Sequence, residues 1–233
     1  MTGYFGKVPF HADFVERNLD PRFVTSWDSW LQRGMADSKS QLGDSWLDIY
    51  LTAPIWHFAL PEGLVSESKW LGMVLPSVDK VGRYFPLTLA CPVHETGIGL
   101  GELLLGAEHW AEDMETLGYD ILDQGLSADD IELRLQQLAP PASPACSFWE
   151  PARGGLAVSG ADIALPQALA LLGDRAGAGM EPGATTYWYT RGGEHTAPIL
   201  FRSEGLPGAE QFVSMLRGYW PGRAPVVESD DDW

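Results

Sequence analysis

Apolar positions recur every three or four residues after Asp20, with Phe23, Trp27, Trp30, Leu31 and Met35 on one side of a helix. Asp20 can cap that helix, Pro21 suits its first turn and Gly43 stops it. Trp46, Leu47, Tyr50 and Leu51 continue the period in a shorter helix that Pro54 ends, and residues 55–59 read as a brief strand. The pattern then changes. Residues 70–75 and 84–90 are almost continuously apolar, as interior strands of a sheet covered on both faces should be. The eight-residue loop PSVDKVGR, opening with Pro76, lies between them.

From Gly101 the helical period returns, and Leu103, Ala107, Trp110, Met114, Leu117 and Ile121 form one stripe with acids mostly opposite. Ser127 and Asp130 resemble a capping box, opening a helix that packs Ile131, Leu135 and Leu138. PPASPA at 140–145 is a stiff connector. Beyond it come a strand near 156–159, a helix over 163–172, a Gly-rich loop reaching Gly183, and an aromatic strand at 185–190. A strand at 198–201 and a helix marked by Phe212, Met215 and Leu216 follow. With a short extended start and no internal repeat, this alternation predicts an α/β fold: a mixed β-sheet with helices packed on both faces, a three-layer sandwich. Residues 1–139 read as the core, and 140–233 as the carboxyl-terminal part of the same domain, ending in an acidic tail at 228–233. Trp27, Trp30, Trp46, Trp56, Trp70 and Trp110 have the spacing of core residues. Trp233, closing ESDDDW, is either an exposed end or a hydrophobic anchor within an acidic peptide.

Composition narrows the possible functions. Of 233 residues, 45% are hydrophobic and 11% aromatic, which excludes a disordered chain. The net charge of −17 opposes binding to nucleic acid or to anionic membrane surfaces. There is no apolar run long enough for a spanning helix and no signal-peptide pattern at the start, so a cytoplasmic protein without membrane insertion is expected. Cys91 and Cys146 make no disulfide framework and fit a reducing compartment. The acids are unevenly placed: 11 fall between residues 95 and 139 against one base, Arg134, and four more stand in the tail. Such a surface is either a solvated face or a docking face for a basic partner; Glu108, Glu112, Asp113 and Glu115 are its candidate residues.

Catalytic signals are thin. The five histidines are dispersed, and Cys91 and His94 have no second donor pair, so no metal is expected, nor any other cofactor. Ser77 and Lys80 match S-x-x-K, but so do Ser66 and Lys69, and the companion elements of serine acyl-transfer enzymes are missing. Gly97, Gly99 and Gly101 precede a helix without the Lys-Ser/Thr pair of a phosphate loop, and Glu102 would repel an anion there. The paired acids Glu112/Asp113 and Asp129/Asp130 lie on polar helical faces. More informative are polar residues interrupting apolar sequence: Lys7, Asp13 and Arg17 in the first segment, and Asp79, Lys80 and Arg83 in the loop, with Ser77 beside them as a further candidate. If the two stretches meet, Asp13–Arg83 or Arg17–Asp79 pairs would clamp the loops, present a recognition surface, or do both. A hydrolase or transferase using Ser77, Asp79 and Arg83 is the alternative, and it requires these side chains to converge in a pocket. A purely structural subunit is a third reading.

Four segments carry a resemblance: GYFGKVPFHADFVERNL at 3–19, WDSWLQRGM at 27–35, WLDIYLTAPIWHFAL at 46–60 and MVLPSVDKVGRYFPLTLA at 73–90. They resemble the type VI secretion system-associated TagF family, also called ImpM. The likeness is specific to about residue 125, and TTYWYT and GLPGAEQFVSMLRG fit the family's later part. Lys7, Pro9, Asp13, Phe14 and Arg17 match in the first segment; Pro76, Ser77, Asp79, Gly82, Arg83, Phe85 and Pro86 match in the loop and its exit. Ala12 departs from the family's glycine, a change that could alter the local turn. The resemblance implies a non-enzymatic cytoplasmic protein that negatively controls assembly of the secretion machine after translation. Its implied partner is a scaffold protein with a forkhead-associated domain. Some relatives carry a fused phosphatase, whose acidic metal-binding motifs this chain lacks. The oligomeric state is left open.

Overall fold

The computed structural model describes residues 1–94, 99–138, 146–149, 157–160, 185–193 and 196–220. Two short strands, β1 (Gly3–Gly6) and β2 (Val15–Arg17), open the chain. Helix α1 (Pro21–Leu42) starts where its cap residue stands, Asp20 accepting from the Arg22 amide at 2.7 Å. At Gly43 the chain enters a single 3-10 turn, and α2 (Trp46–Leu51) follows. Strands β3 (Trp56–Leu60), β4 (Lys69–Leu75) and β5 (Leu87–Val93) form a meander. Helices α3 (Leu100–Gly106), α4 (Glu108–Gln124) and α5 (Ala128–Gln137) come next. A strand pair, β6 (Cys146–Trp149) with β7 (Ala157–Gly160), stands apart from the main sheet. Then come β8 (Thr185–Thr190), β9 (Ile199–Glu204) and α6 (Ala209–Arg217).

The main sheet has the order β2-β1-β5-β4-β3-β8-β9. Its pairings among the described residues are all antiparallel. The expected sandwich is present because the central strands feed two cores at once. On one face Trp56, Phe58, Leu60, Trp70 and Val74 pack with Phe23, Trp27, Trp30 and Leu31 of α1, with α2, and with Phe212 and Met215 of α6. On the other face Ala59, Leu71, Met73, Leu75, Leu87 and Leu89 pack with Leu103, Trp110, Met114, Leu117, Ile121, Ile131 and Leu135.

The first core is aromatic, and its indoles are also tethers. Trp27 Nε1 donates to Thr88 Oγ1 at 2.8 Å, while Trp30 and Trp56 donate to the Pro207 and Met215 carbonyls at 2.8 and 3.0 Å. The last two bonds hold the carboxyl-terminal segment against α1 and β3. All six tryptophans read as core residues are buried. Close approach of α1 to α6 depends on Gly34, where a Cβ would stand 2.5 Å from the Phe212 ring.

Three elements differ from the sequence reading by more than a residue at a boundary. The run at 84–90 starts as loop: Tyr84 makes one isolated bridge to Val78, Pro86 offers no amide for a ladder, and pairing with β4 begins at Leu87. The single helix expected from Gly101 breaks between α3 and α4, where Gly106 weakens the first segment and Ala107 takes a non-helical ψ of 12°. Its apolar stripe still reaches one core from both pieces. The strand expected at 198–201 extends to Glu204. The connector at 140–145, the helix at 163–172, the Gly-rich loop up to Gly183, the tail at 228–233 and Trp233 lie outside the described residues.

Candidate functional site

The interrupted apolar segments do meet, at a corner where the loop after β1 crosses the loop between β4 and β5. Gly6 makes the crossing possible: its φ is 138°, and a Cβ there would lie 2.2 Å from the Pro86 carbonyl oxygen. The chain leaves this contact with Lys7 buried and its ammonium on Asp79 Oδ2. Around Asp79 the second loop winds into a tight turn. Asp79 Oδ1 accepts from the Val81 and Arg83 amides at 3.0 and 2.8 Å, and Arg83 Nε donates to Oδ2 at 2.6 Å. The other end of the guanidinium reaches across, donating to the Ala12 carbonyl and standing 3.9 Å from Asp13.

Ser77 and Tyr50 complete the joint. Ser77 Oγ donates to the Lys7 carbonyl at 2.7 Å, Tyr50 donates to the Ser77 carbonyl at 2.8 Å, and the Ser77 amide donates back to Tyr50 at 2.9 Å. The Lys80 amide donates to the His11 carbonyl at 3.0 Å, closing one loop on the other. Burial pushes the Tyr50 hydroxyl well above its usual pKa, so it stays a neutral donor. Burial would also raise Asp79, but hydrogen bonds from Lys7, from the Arg83 amide and guanidinium and from the Val81 amide outweigh it. They hold the carboxyl well below the usual range.

This arrangement realises one of the two expected pairings and corrects the other. Arg83 does stand by Asp13, but Asp79 is held by Lys7 and Arg83, not by Arg17. Arg17 lies on edge strand β2 with its guanidinium exposed and 3.4 Å from the Glu16 carbonyl. The S-x-x-K match is also undone, since Ser77 faces the Lys7 carbonyl and the Lys80 side chain is exposed. Ala12 needs no glycine here: among the described non-glycine residues only Asn18 has a positive φ.

The acidic candidates divide. Glu108 and Asp113 are exposed on α4. Glu112 instead accepts from Arg191, just after β8, at 3.0 Å, and stands 3.5 Å from His109. These contacts, that with Arg191 foremost, hold its carboxyl below the ordinary range. Glu115 is turned inward, accepting from Nε2 of buried His57 on β3 at 2.5 Å. His57 Nδ1, like Trp110 Nε1, is buried with no hydrogen-bond partner. Half of the expected docking face therefore ties α4 to the sheet.

Sequence reasoning missed Tyr50, His57 and Arg191 as polar partners because each sits in an apolar or aromatic stretch whose period announces only packing. It also missed the outward side of the corner, where Phe10, Phe14 and Val81 are 49%, 48% and 63% exposed. Phe14 is nevertheless held in place, 4.9 Å from the Phe85 ring, 5.7 Å from Phe5 and 4.9 Å from the Lys7 ammonium. Among the described residues no group of His, Cys, Asp and Glu is placed to hold a metal, and no helix is long and apolar enough to cross a membrane.

Fold and corner together define an α/β sandwich that presents a loop surface in which Lys7, Ser77, Asp79 and Arg83 are engaged with one another. Residues 3–138 match the family described as TagF N-terminal domain, Type VI secretion system-associated. The crystal structure of PA0076 from Pseudomonas aeruginosa PAO1 is similar over 96% of this chain and 97% of that one, with 34% identity and a TM-score of 0.77. No curated protein matches. The chain belongs to the TagF family.

Proposed function

We propose that this chain is a cytoplasmic regulatory protein that restrains type VI secretion assembly after translation by occupying a partner, a scaffold protein with a forkhead-associated domain. Family membership supports the setting. The observation that carries the mode of action is the corner itself: apolar side chains held outward on two loops whose buried charges, Lys7 and Asp79, are matched to each other. Buried ion pairs contribute little to stability compared with apolar packing, and their best-attested use is to specify geometry. Rigid presentation of aromatic groups is what a protein interface rewards.

Ser77, Asp79 and Arg83 do not favour the hydrolase reading, because a reaction there would first have to break the bonds that form the turn. The test is deletion of the gene with secretion as the readout. Secretion should rise, return to its controlled level with the wild-type chain, and stay high with a folded Val81→Asp chain that no longer binds the scaffold. A fall in secretion on deletion would instead fit a structural accessory subunit.

A further inference from the structure

We infer that the corner built from residues 8–14 and 78–83 docks an acidic segment of a partner protein that also carries apolar side chains. This rests on the interaction reading above and adds the chemistry of the partner. Phe10, Phe14 and Val81 supply the apolar area. Phe14 is braced by Phe5 and Phe85, and Phe10 lies over the end of α4, its ring 2.9 Å from where a Cβ on Gly125 would be. Neither ring can fold away without disturbing its support.

Charge selects the partner. The whole chain carries −17, but residues 7–14 and 76–86 hold three cations, Lys7, Lys80 and Arg83, against two acids, Asp13 and Asp79. Lys7 and Asp79 are buried against each other. The outward charges are therefore Lys80 and Arg83 against Asp13, and among the described residues the Lys80 ammonium and the His11 imidazole have no partner. An acidic segment is repelled by most of this molecule and accepted here, which sets where it docks as well as how fast. A basic segment would be drawn to Glu108 and Asp113 instead.

Selection of phage-displayed peptides on the immobilised full chain tests this. Enriched peptides should place Asp or Glu beside Leu, Ile or Phe. A selected peptide should bind the Val81→Asp chain at least about tenfold more weakly and the Lys80→Glu chain about threefold more weakly at low salt, the second difference shrinking in 0.3 M salt. Both side chains are exposed, so unchanged melting temperatures are expected and serve as the folding control. A basic consensus, no enrichment over an unrelated acidic protein, or acidic peptides indifferent to both substitutions would overturn the inference. So would equally tight binding of the peptide VVESDDDW, residues 226–233, with the same loss in both variants, since the site would then serve this chain's own tail. If Val81→Asp releases secretion while selection yields basic peptides, the regulatory reading stands and this inference falls. If deletion leaves secretion unchanged while acidic peptides dock at the corner, the regulatory reading falls and the docking chemistry stands.

Discussion

Two clusters of charged and polar side chains, among several such contacts in the described residues, tie separated elements together at different depths. At the loop corner Asp79 and Lys7 are buried, and Arg83 and Asp13 form the solvent-exposed edge of the cluster. At α4 the order runs from inside to outside, from buried His57 through half-buried Glu115 to Glu112 and Arg191 nearer the surface. The Lys7–Asp79 pair is shielded from water and salt; the second cluster grades into a screened surface. The corner is thus a joint that holds or fails as a unit, whereas α4 is attached by contacts of unequal strength.

The largest loss should come from Lys7→Met, which leaves the Asp79 carboxylate with one cation fewer beneath the surface. Thermal unfolding should show a melting temperature lower by about 10 °C. A smaller, pH-graded loss distinguishes the corner in the wild-type chain. The folded protein holds Asp79 below its ordinary pKa, so its contribution is complete above about pH 4 and disappears as pH falls toward the folded value. Urea midpoints followed from pH 6 downward should therefore drop more steeply for wild type than for Asp79→Asn; parallel curves would mean the corner does not titrate as a unit.

At α4, Glu115→Ala should cost about 2 kcal/mol, because His57 would then have neither ring nitrogen bonded. Its effect should change little with salt. Glu112→Gln should shift the melting temperature by no more than about 1 °C, and less still in 0.5 M salt. If Glu112 proved the costlier of the two, the inside-to-outside ordering at α4 would be wrong.

How far the sequence reached is clearest at particular residues. Helix α1 was legible to its cap, since Asp20, Pro21 and Gly43 are local signals and its stripe has one period. The aromatic strand at Thr185–Thr190 was equally plain. The meeting of Lys7, Asp79 and Arg83 was legible only as a possibility: the interrupted apolar runs marked which residues would need partners but not which partner each would take. Arg17 and Lys7 are both cations in the first segment. Only the turn at Gly6, and the passage of β1 beside β5, decides that Lys7 faces Asp79 while Arg17 faces outward.

Glu115 shows the same limit from the other side. Its neighbours are acidic and its helix is amphipathic, so it reads as one more solvated carboxylate; the register of α4 over β3 turns it toward His57. Local chemistry determined the elements, the two-sided burial of the central strands and the family, because periodicity, caps and motifs are written within a few residues of one another. Tertiary structure decided which charges are hidden, which aromatics stand out and which acids are already engaged, because those depend on contacts between residues far apart in sequence, such as Lys7 with Asp79, Phe10 with Gly125 and Glu112 with Arg191.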